Sequence, residues 1–300
     1  MFKHILLPLD GSALAETAVP VVAYLAEKLK AQVTLLHVIE KNAPETIHGQ
    51  KHLVNEEEAR AYLASLAEKY FSPEMVVHHH VHTDEVDRVS VSIVQHSDEF
   101  APDLIVMCAH GQGGLRDFVV GSIAQQVIAS GSVPVLLLQP EENSAPAFSG
   151  FERILVALDG DPAHESGYAA AVDLAQTLRA RLHLIQVVPT LGTLKAKHAA
   201  TGTLLPATTK ALLEIDEDAA AEYLEEKMNR LCRQNLDVTA EVERGDPARQ
   251  VVQSADAQNA QLIVLGTHGK SGLNAFWSGS VAPRIVEQTQ LPILLVPVRR

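Results

Sequence analysis

The sequence predicts an α/β fold built twice: two doubly wound, five-stranded parallel-sheet domains in tandem, Rossmann-like in architecture. Three observations lead there. Short runs rich in leucine and β-branched residues alternate with segments of helical period. The first half of the chain matches the second in register. Glycine-rich turns follow strands at the sheet edge where such folds hold their ligands.

In the first half the apolar runs are Ile5–Leu9, Val33–Ile39, Met75–His82, Leu104–Cys108 and Val133–Leu138. They are largely apolar on both faces, as strands covered by helices on both sides are. Ala13–Lys30, Glu56–Tyr70, Val89–Phe100 and Gly121–Ser130 have helical spacing between them. The resulting βαβαβαβαβ order calls for right-handed crossovers and a parallel sheet.

The repeat is visible at the start, middle and end of each half. Phe2 to Gly11 matches Phe151 to Gly160 at six of ten positions. His110-Gly111 and Gly121-Ser122 match His268-Gly269 and Gly279-Ser280, with nine residues between the glycines in both halves. Val133 to Leu138 matches Leu291 to Val296. The offset grows from 149 at the starts to 158 at the ends, so the second half carries a net insertion, assigned to Thr190–Glu214. Domains are set at 1–140 and 151–300, joined by the Glu-, Ser-, Ala- and Pro-rich segment Pro140–Gly150.

The 300 residues include 24 basic and 37 acidic side chains, a net charge of −13. That balance repels nucleic acid and anionic membranes, so an anionic ligand needs a local site. Cys108 and Cys232, one per half, suggest a reducing compartment and no structural disulfide. The apolar strand at the N-terminus does not read as a signal peptide, and no apolar run approaches the roughly 18 residues of a membrane span. The expected location is cytoplasmic.

In the second half, Gly266-Thr267-His268-Gly269 follows the fourth strand, and Gly279-Ser280 opens the last helix. Glycines admit an anion to backbone N–H groups, the helix start adds a positive dipole end, and Ser280 adds a hydroxyl donor. Asp159 ends the first strand on the same edge, where a carboxylate can accept from ribose hydroxyls. A Walker A loop is excluded, because Val264 stands where its first glycine is required before Gly269-Lys270-Ser271.

The strand ending Leu-Asp-Gly, the spacing Gly-x2-Gly-x9-Gly-Ser and the terminal strand Pro-Ile-Leu-Leu-Val resemble the universal stress protein family, over essentially the whole chain and twice. The resemblance implies an adenine nucleotide α-hydrolase-like fold and a stress-response module binding ATP or another adenine nucleotide, with Mg²⁺. It implies contacts from Asp159, Val187, Gly266, Gly269, Gly279 and Ser280, with Ala157, His268 and Val281 nearby. It also implies pairing of the terminal strands, making the tandem chain a pseudo-dimer able to form a homodimer or to signal to another protein.

The first half departs from this pattern. Asp10, Gly111, Gly121 and Ser122 remain, but Cys108 replaces the first loop glycine and is expected to bring a side chain toward the ribose region. Asp84-Glu85-Val86-Asp87 stands where the second half has the turn Gly245-Asp246-Pro247-Ala248. Nucleotide is therefore expected mainly in the second half.

His78, His80 and His82 share one face of the third strand and could offer imidazoles to zinc. No carboxylate or cysteine partner is assignable by spacing, so the face reads as solvated or interfacial and no metal ligand is assigned. The acidic runs Glu56–Glu58 and Glu214–Glu226 read as solvated helix faces. No general base stands out, and His268 has His110 as its counterpart. A binding module with at most slow ATP hydrolysis leads. Two alternatives stand beside it: an adenine-nucleotide hydrolase or nucleotidyl transferase with Thr190–Glu214 closing over the cleft, and a ligand-free scaffold.

Overall fold

The computed structural model describes residues 2–41, 46–47, 50–51, 53–109, 121–130, 132–139, 148–194, 204–267 and 281–298. Two compact units divide between Gly150 and Phe151.

The first unit holds β1 (His4–Pro8), α1 (Ala13–Glu16), α2 (Ala18–Leu29), β2 (Gln32–Glu40), a two-strand hairpin β3 (Thr46–Ile47) and β4 (Gln50–Lys51), and α3 (Glu56–Tyr70). There follow β5 (Val77–Val86), α4 (Val89–Phe100), β6 (Leu104–Cys108), α5 (Ser122–Ser130) and β7 (Val135–Leu138). Its sheet has the order β7-β6-β1-β2-β5, with every pairing parallel. The second unit holds β8 (Arg153–Leu158), a 3₁₀ turn Pro162–His164, α6 (Ser166–Leu178), β9 (Arg181–Val188), α7 (Pro206–Cys232), β10 (Val238–Arg244), α8 (Pro247–Ala257), β11 (Leu262–Thr267), α9 (Val281–Val286) and β12 (Ile293–Pro297). Its order is β10-β9-β8-β11-β12, again parallel. In both units the chain lays its first three strands outward in one direction, then returns to add the fourth and fifth on the other side of the first.

The strands behave as their composition requires. Ile5, Leu6 and Leu7 are consecutive and fully buried, as are Leu155 and Val156, and Ile263 and Val264, so both sheet faces are covered. Each such side chain contributes about 1.5–3 kcal/mol through burial.

The helix expected over Ala13–Lys30 is broken at Thr17. Pro20 has no N–H to give the Glu16 carbonyl, and its ring crowds that carbonyl, so α1 ends at Glu16 and α2 begins afresh. Both α2 and α6 stop on a basic residue in the left-handed conformation, Lys30 (φ 51°) and Arg179 (φ 56°). This stop uses no glycine and leaves little trace in sequence.

The third strand is longer than expected: β5 runs past His82 through Val86, with an irregular step against β2 between Val38 and Glu40. The strand histidines are partly solvated and partly packed. His78 is exposed, whereas His80 and His82 are half-buried against His96 of α4. The acidic faces at Glu56–Glu58 and along Glu214–Glu226 are largely exposed, as expected. The segment assigned to the insertion contributes the first turns of the 27-residue α7, where Leu213 packs with Val188 and Ala220. Among the described residues, no helix is long and apolar enough to cross a membrane.

Helix α3 is capped by Asn55, whose side chain accepts from the N–H groups of Glu57 at 2.8 Å and Glu58 at 3.3 Å, beside three glutamates in the first turn. Asn55→Ala is expected to lower stability by about 1 kcal/mol, read as a reduced urea midpoint at unchanged slope.

Candidate functional site

In a sheet of this order the first and fourth strands are neighbours whose following helices depart to opposite faces, opening a crevice beyond their carboxyl ends. In the second unit these are β8 and β11, and Ala157 stands opposite Leu265. By the same register Leu158 stands beside Gly266, and Asp159 follows it just beyond the end of β8, next to Thr267. The Asp161 N–H donates to Asp159 Oδ1 at 3.0 Å, and Asp161 in turn caps the 3₁₀ turn by accepting from the Ala163 N–H at 2.9 Å. That turn carries His164 back, its Nδ1 2.6 Å from Asp159 Oδ2. The Asp159 side chain is still about half exposed, at 48%.

On the other flank, Gln186 of β9 lies opposite Leu158, and Val187 stays in the ladder opposite Glu243. Gln186 Oε1 is a buried acceptor with no hydrogen-bond partner among the described residues. Burial without a partner costs about 1–3 kcal/mol, which a donor in the crevice would recover.

Gly266 has a packing reason as well as a binding one. A Cβ there would lie 2.6 Å from the His164 carbonyl oxygen, and a Cβ on Gly167 would lie 2.7 Å from the Gly266 nitrogen. Two glycines let the start of α6 touch the end of β11. At the equivalent positions the first unit has Ala18 and Cys108. The Cys108 side chain does not enter a ribose region, as its place in the sequence suggested. It is buried beneath α1, with Sγ 3.3 Å from the Leu14 carbonyl and 3.4 Å from Thr17 Oγ1. Burial pushes its thiol up to about 11, which makes it a packing residue rather than a nucleophile.

The crevice of the first unit is crowded for a different reason. Leu53 packs on Gly11, whose φ is +87°, with side-chain carbons 2.8 and 2.9 Å from where a Cβ would be. His37, the counterpart of Gln186, spans two carbonyls, with Nδ1 2.8 Å from Leu9 O and Nε2 2.9 Å from Leu53 O. Asp10 is occupied locally, accepting from the Ser12 N–H at 2.9 Å and its hydroxyl at 2.6 Å, while Ser12 caps α1. Gly121 and Ser122 open α5, where the Gly121 carbonyl accepts from the Gln125 N–H.

A polar group from α7, unmarked by any motif, flanks the Asp159 edge. Glu165 accepts from Tyr223 Oη at 2.8 Å and pairs with Lys227 Nζ at 2.7 Å. That ammonium lies 4.7 Å and 4.8 Å from the ring centroids of Tyr168 and Tyr223. Burial, then the Glu165 carboxylate, then Asp159 raise the Tyr223 phenol well above its ordinary value, so it is a committed donor. In the sequence, Tyr223 and Lys227 are marked by nothing more than their i, i+4 spacing on a helix.

The last helix is tied to the turn singled out in the sequence. Asp246 caps α8 through the Arg249 N–H at 3.1 Å and accepts from Arg284 of α9 at 2.8 Å. Val281 is the first residue of α9. The remaining expected contacts, His268, Gly269, Gly279 and Ser280, and Gly111 in the first half, lie outside the described residues.

Two predictions follow from these contacts. Gly167→Ala is expected to destabilise by about 2 kcal/mol, because backbone rather than a flexible side chain must give way, whereas Gly192→Ala, with open space around it, is expected to stay within about 0.5 kcal/mol in the same denaturation assay. The second concerns acid. Burial raises the Asp246 carboxyl, but the Arg249 N–H and the Arg284 guanidinium outweigh it and leave the group below its ordinary 3.8. A depressed folded-state value stabilises above the unfolded pKa and fades as pH falls through the folded one. The Tm gap between wild type and Asp246→Asn is thus expected to be full at neutral pH and to close only below the ordinary carboxylate range.

The sequence profile of the Universal stress protein family matches residues 1–139 and again 150–297. A universal stress protein of Mycolicibacterium smegmatis is 25% identical over 305 aligned positions, covering 98% of this chain and 97% of the relative. Universal stress protein Sll1654 of Synechocystis is 36% identical over 141 positions, covering 46% of this chain and 86% of the relative. Among solved structures, a functionally unknown protein of Pseudomonas aeruginosa PAO1 superposes with a TM-score of 0.70 at 18% identity, covering 99% of this chain and 93% of that one. A universal stress protein of Archaeoglobus fulgidus does so with a TM-score of 0.62 at 16% identity, covering 99% and 96%. With the repeated fold and the doubled profile match in agreement, the chain belongs to the universal stress protein family as a tandem, two-domain member.

Proposed function

We propose that the second half binds an adenine nucleotide, ATP in the first instance, in the crevice between the carboxyl ends of β8 and β11, and that the chain acts as a nucleotide-responsive stress module. The observation that carries this reading is the unpartnered Gln186 acceptor beside Asp159 at the strand-order switch. Gln186 Oε1 suits an exocyclic amine of a base, and Asp159 suits ribose hydroxyls. Ala157, Val187 and Gly266 line the same edge. The phosphates, with Mg²⁺, belong to the Gly269 and Gly279-Ser280 loops. Binding alters the surface offered to a protein partner or a second copy.

A second reading, an adenine-nucleotide hydrolase, is favoured by one contact. Asp159 orients the His164 imidazole at 2.6 Å, the arrangement a general base uses.

The test is equilibrium binding of ATP to the purified chain, with release and mass identification of any co-purified nucleotide. Wild type is expected to bind one ATP in the second half. Asp159→Ala is expected to weaken binding roughly tenfold or more, the loss of charge-assisted hydrogen bonds, and Asp10→Ala to leave it unchanged. Absence of any adenine-nucleotide binding, or sensitivity to Asp10→Ala alone, overturns the proposal. Turnover that His164→Gln abolishes while ATP affinity persists would favour the hydrolase.

A further inference from the structure

The edge strand of the first unit carries a cluster that the nucleotide reading does not use. His80 and His82, two residues apart on β5, project from the same face onto α4. There His96 is 6% exposed. His96 Nε2 lies 3.0 Å from His82 Nδ1, and the His80 and His82 ring centroids are 4.6 Å and 4.9 Å from that of His96. One ring nitrogen from each of the three lies within 4.8 Å of the other two.

The surroundings are those of a ligand set. His96 Nδ1, on the far side of its ring, is 3.0 Å from Glu99 Oε2. A carboxylate in that position fixes the orientation of a metal-binding imidazole and raises its basicity. Phe100 stacks on His96 with the planes 6° apart and meets the His80 ring edge-on at 5.0 Å, so an aromatic wall backs the cluster. A shared proton explains the contact between His82 and His96. It gives no reason for the third imidazole or for the carboxylate behind the second.

We propose that His80, His82 and His96 bind one divalent first-row transition ion of the imidazole-preferring class, Zn²⁺ being the probe of choice, with Glu99 as the outer carboxylate. Tetrahedral Zn–N bonds of about 2.0–2.1 Å set the nitrogens about 3.3 Å apart, a distance that rotation of half-buried side chains can supply. Three protein ligands leave one position for water or an exchangeable group. The anchor His96 comes from a helix, 14 residues beyond the strand pair, which is why strand spacing alone did not reveal the set.

The experiment is calorimetric titration of chelator-stripped full-length protein with ZnCl₂ in the presence of a competing chelator, paired with melting curves. Wild type is expected to take up one Zn²⁺ per chain at this site and to melt higher with it. His80→Gln and His96→Gln are each expected to lower affinity at least tenfold and to lose the Zn²⁺-dependent rise in Tm. Glu99→Gln is expected to lower affinity by roughly ten- to a hundredfold. His78→Gln and His79→Gln, at exposed positions of the same strand, serve as controls and are expected to bind as wild type does. Should His96→Gln fold poorly, the half-exposed His80→Gln decides alone. With Co²⁺ in place of Zn²⁺, the visible bands of a four-coordinate ion are expected in wild type and not in His80→Gln. No saturable site in wild type, or equal losses from His78→Gln and His80→Gln, overturns the assignment.

Discussion

The candidate site of the second half depends on how closely α6 approaches β11. With Gly167 and Gly266 facing each other, helix backbone meets strand backbone without side chains between them. That contact fixes the start of α6, and with it the turn Asp161–Glu165 that presents Asp159 and His164. From Glu165 the ordering passes to Tyr223 and Lys227 of α7, so the longest helix of the unit is tied to the same turn. On the other side, Asp246 holds α9 through Arg284. The crevice is thus framed by backbone contact at its centre and by charged anchors on both flanks.

The two halves show what duplication preserves and what it releases. Strand order, crossover pattern and even the left-handed stops at Lys30 and Arg179 are kept. These features serve the core, where consecutive buried residues leave little room for change. Positions around the crevice have diverged: Gly266 against Cys108 and Gln186 against His37. Cys108 is accommodated by turning inward to the Leu14 carbonyl, so a substitution in a glycine loop became a packing contact.

Most of the fold was legible in the sequence, because a parallel sheet covered on both faces imposes long apolar runs and regular spacing. Glu56–Tyr70, Val89–Phe100 and Leu104–Cys108 were placed to the residue. What escaped depends on contacts rather than on local pattern. Pro20 lies within helical periodicity, and only the lost hydrogen bond to Glu16 reveals the break at Thr17. The third strand was expected to end at His82, yet β5 runs on to Val86, which pairs with Glu40 of β2. Of the candidate site, Asp159 and Gly266 were readable from the repeat. Gln186, His164 and Tyr223 were not, since each matters through a partner that only folding brings near.

Leu53 rests on Gly11, with its carbonyl 2.9 Å from His37 Nε2, and so places part of the chain itself against the crevice edge. A neighbour supplied by the chain itself is present at an effective concentration set by the chain and not by the solution.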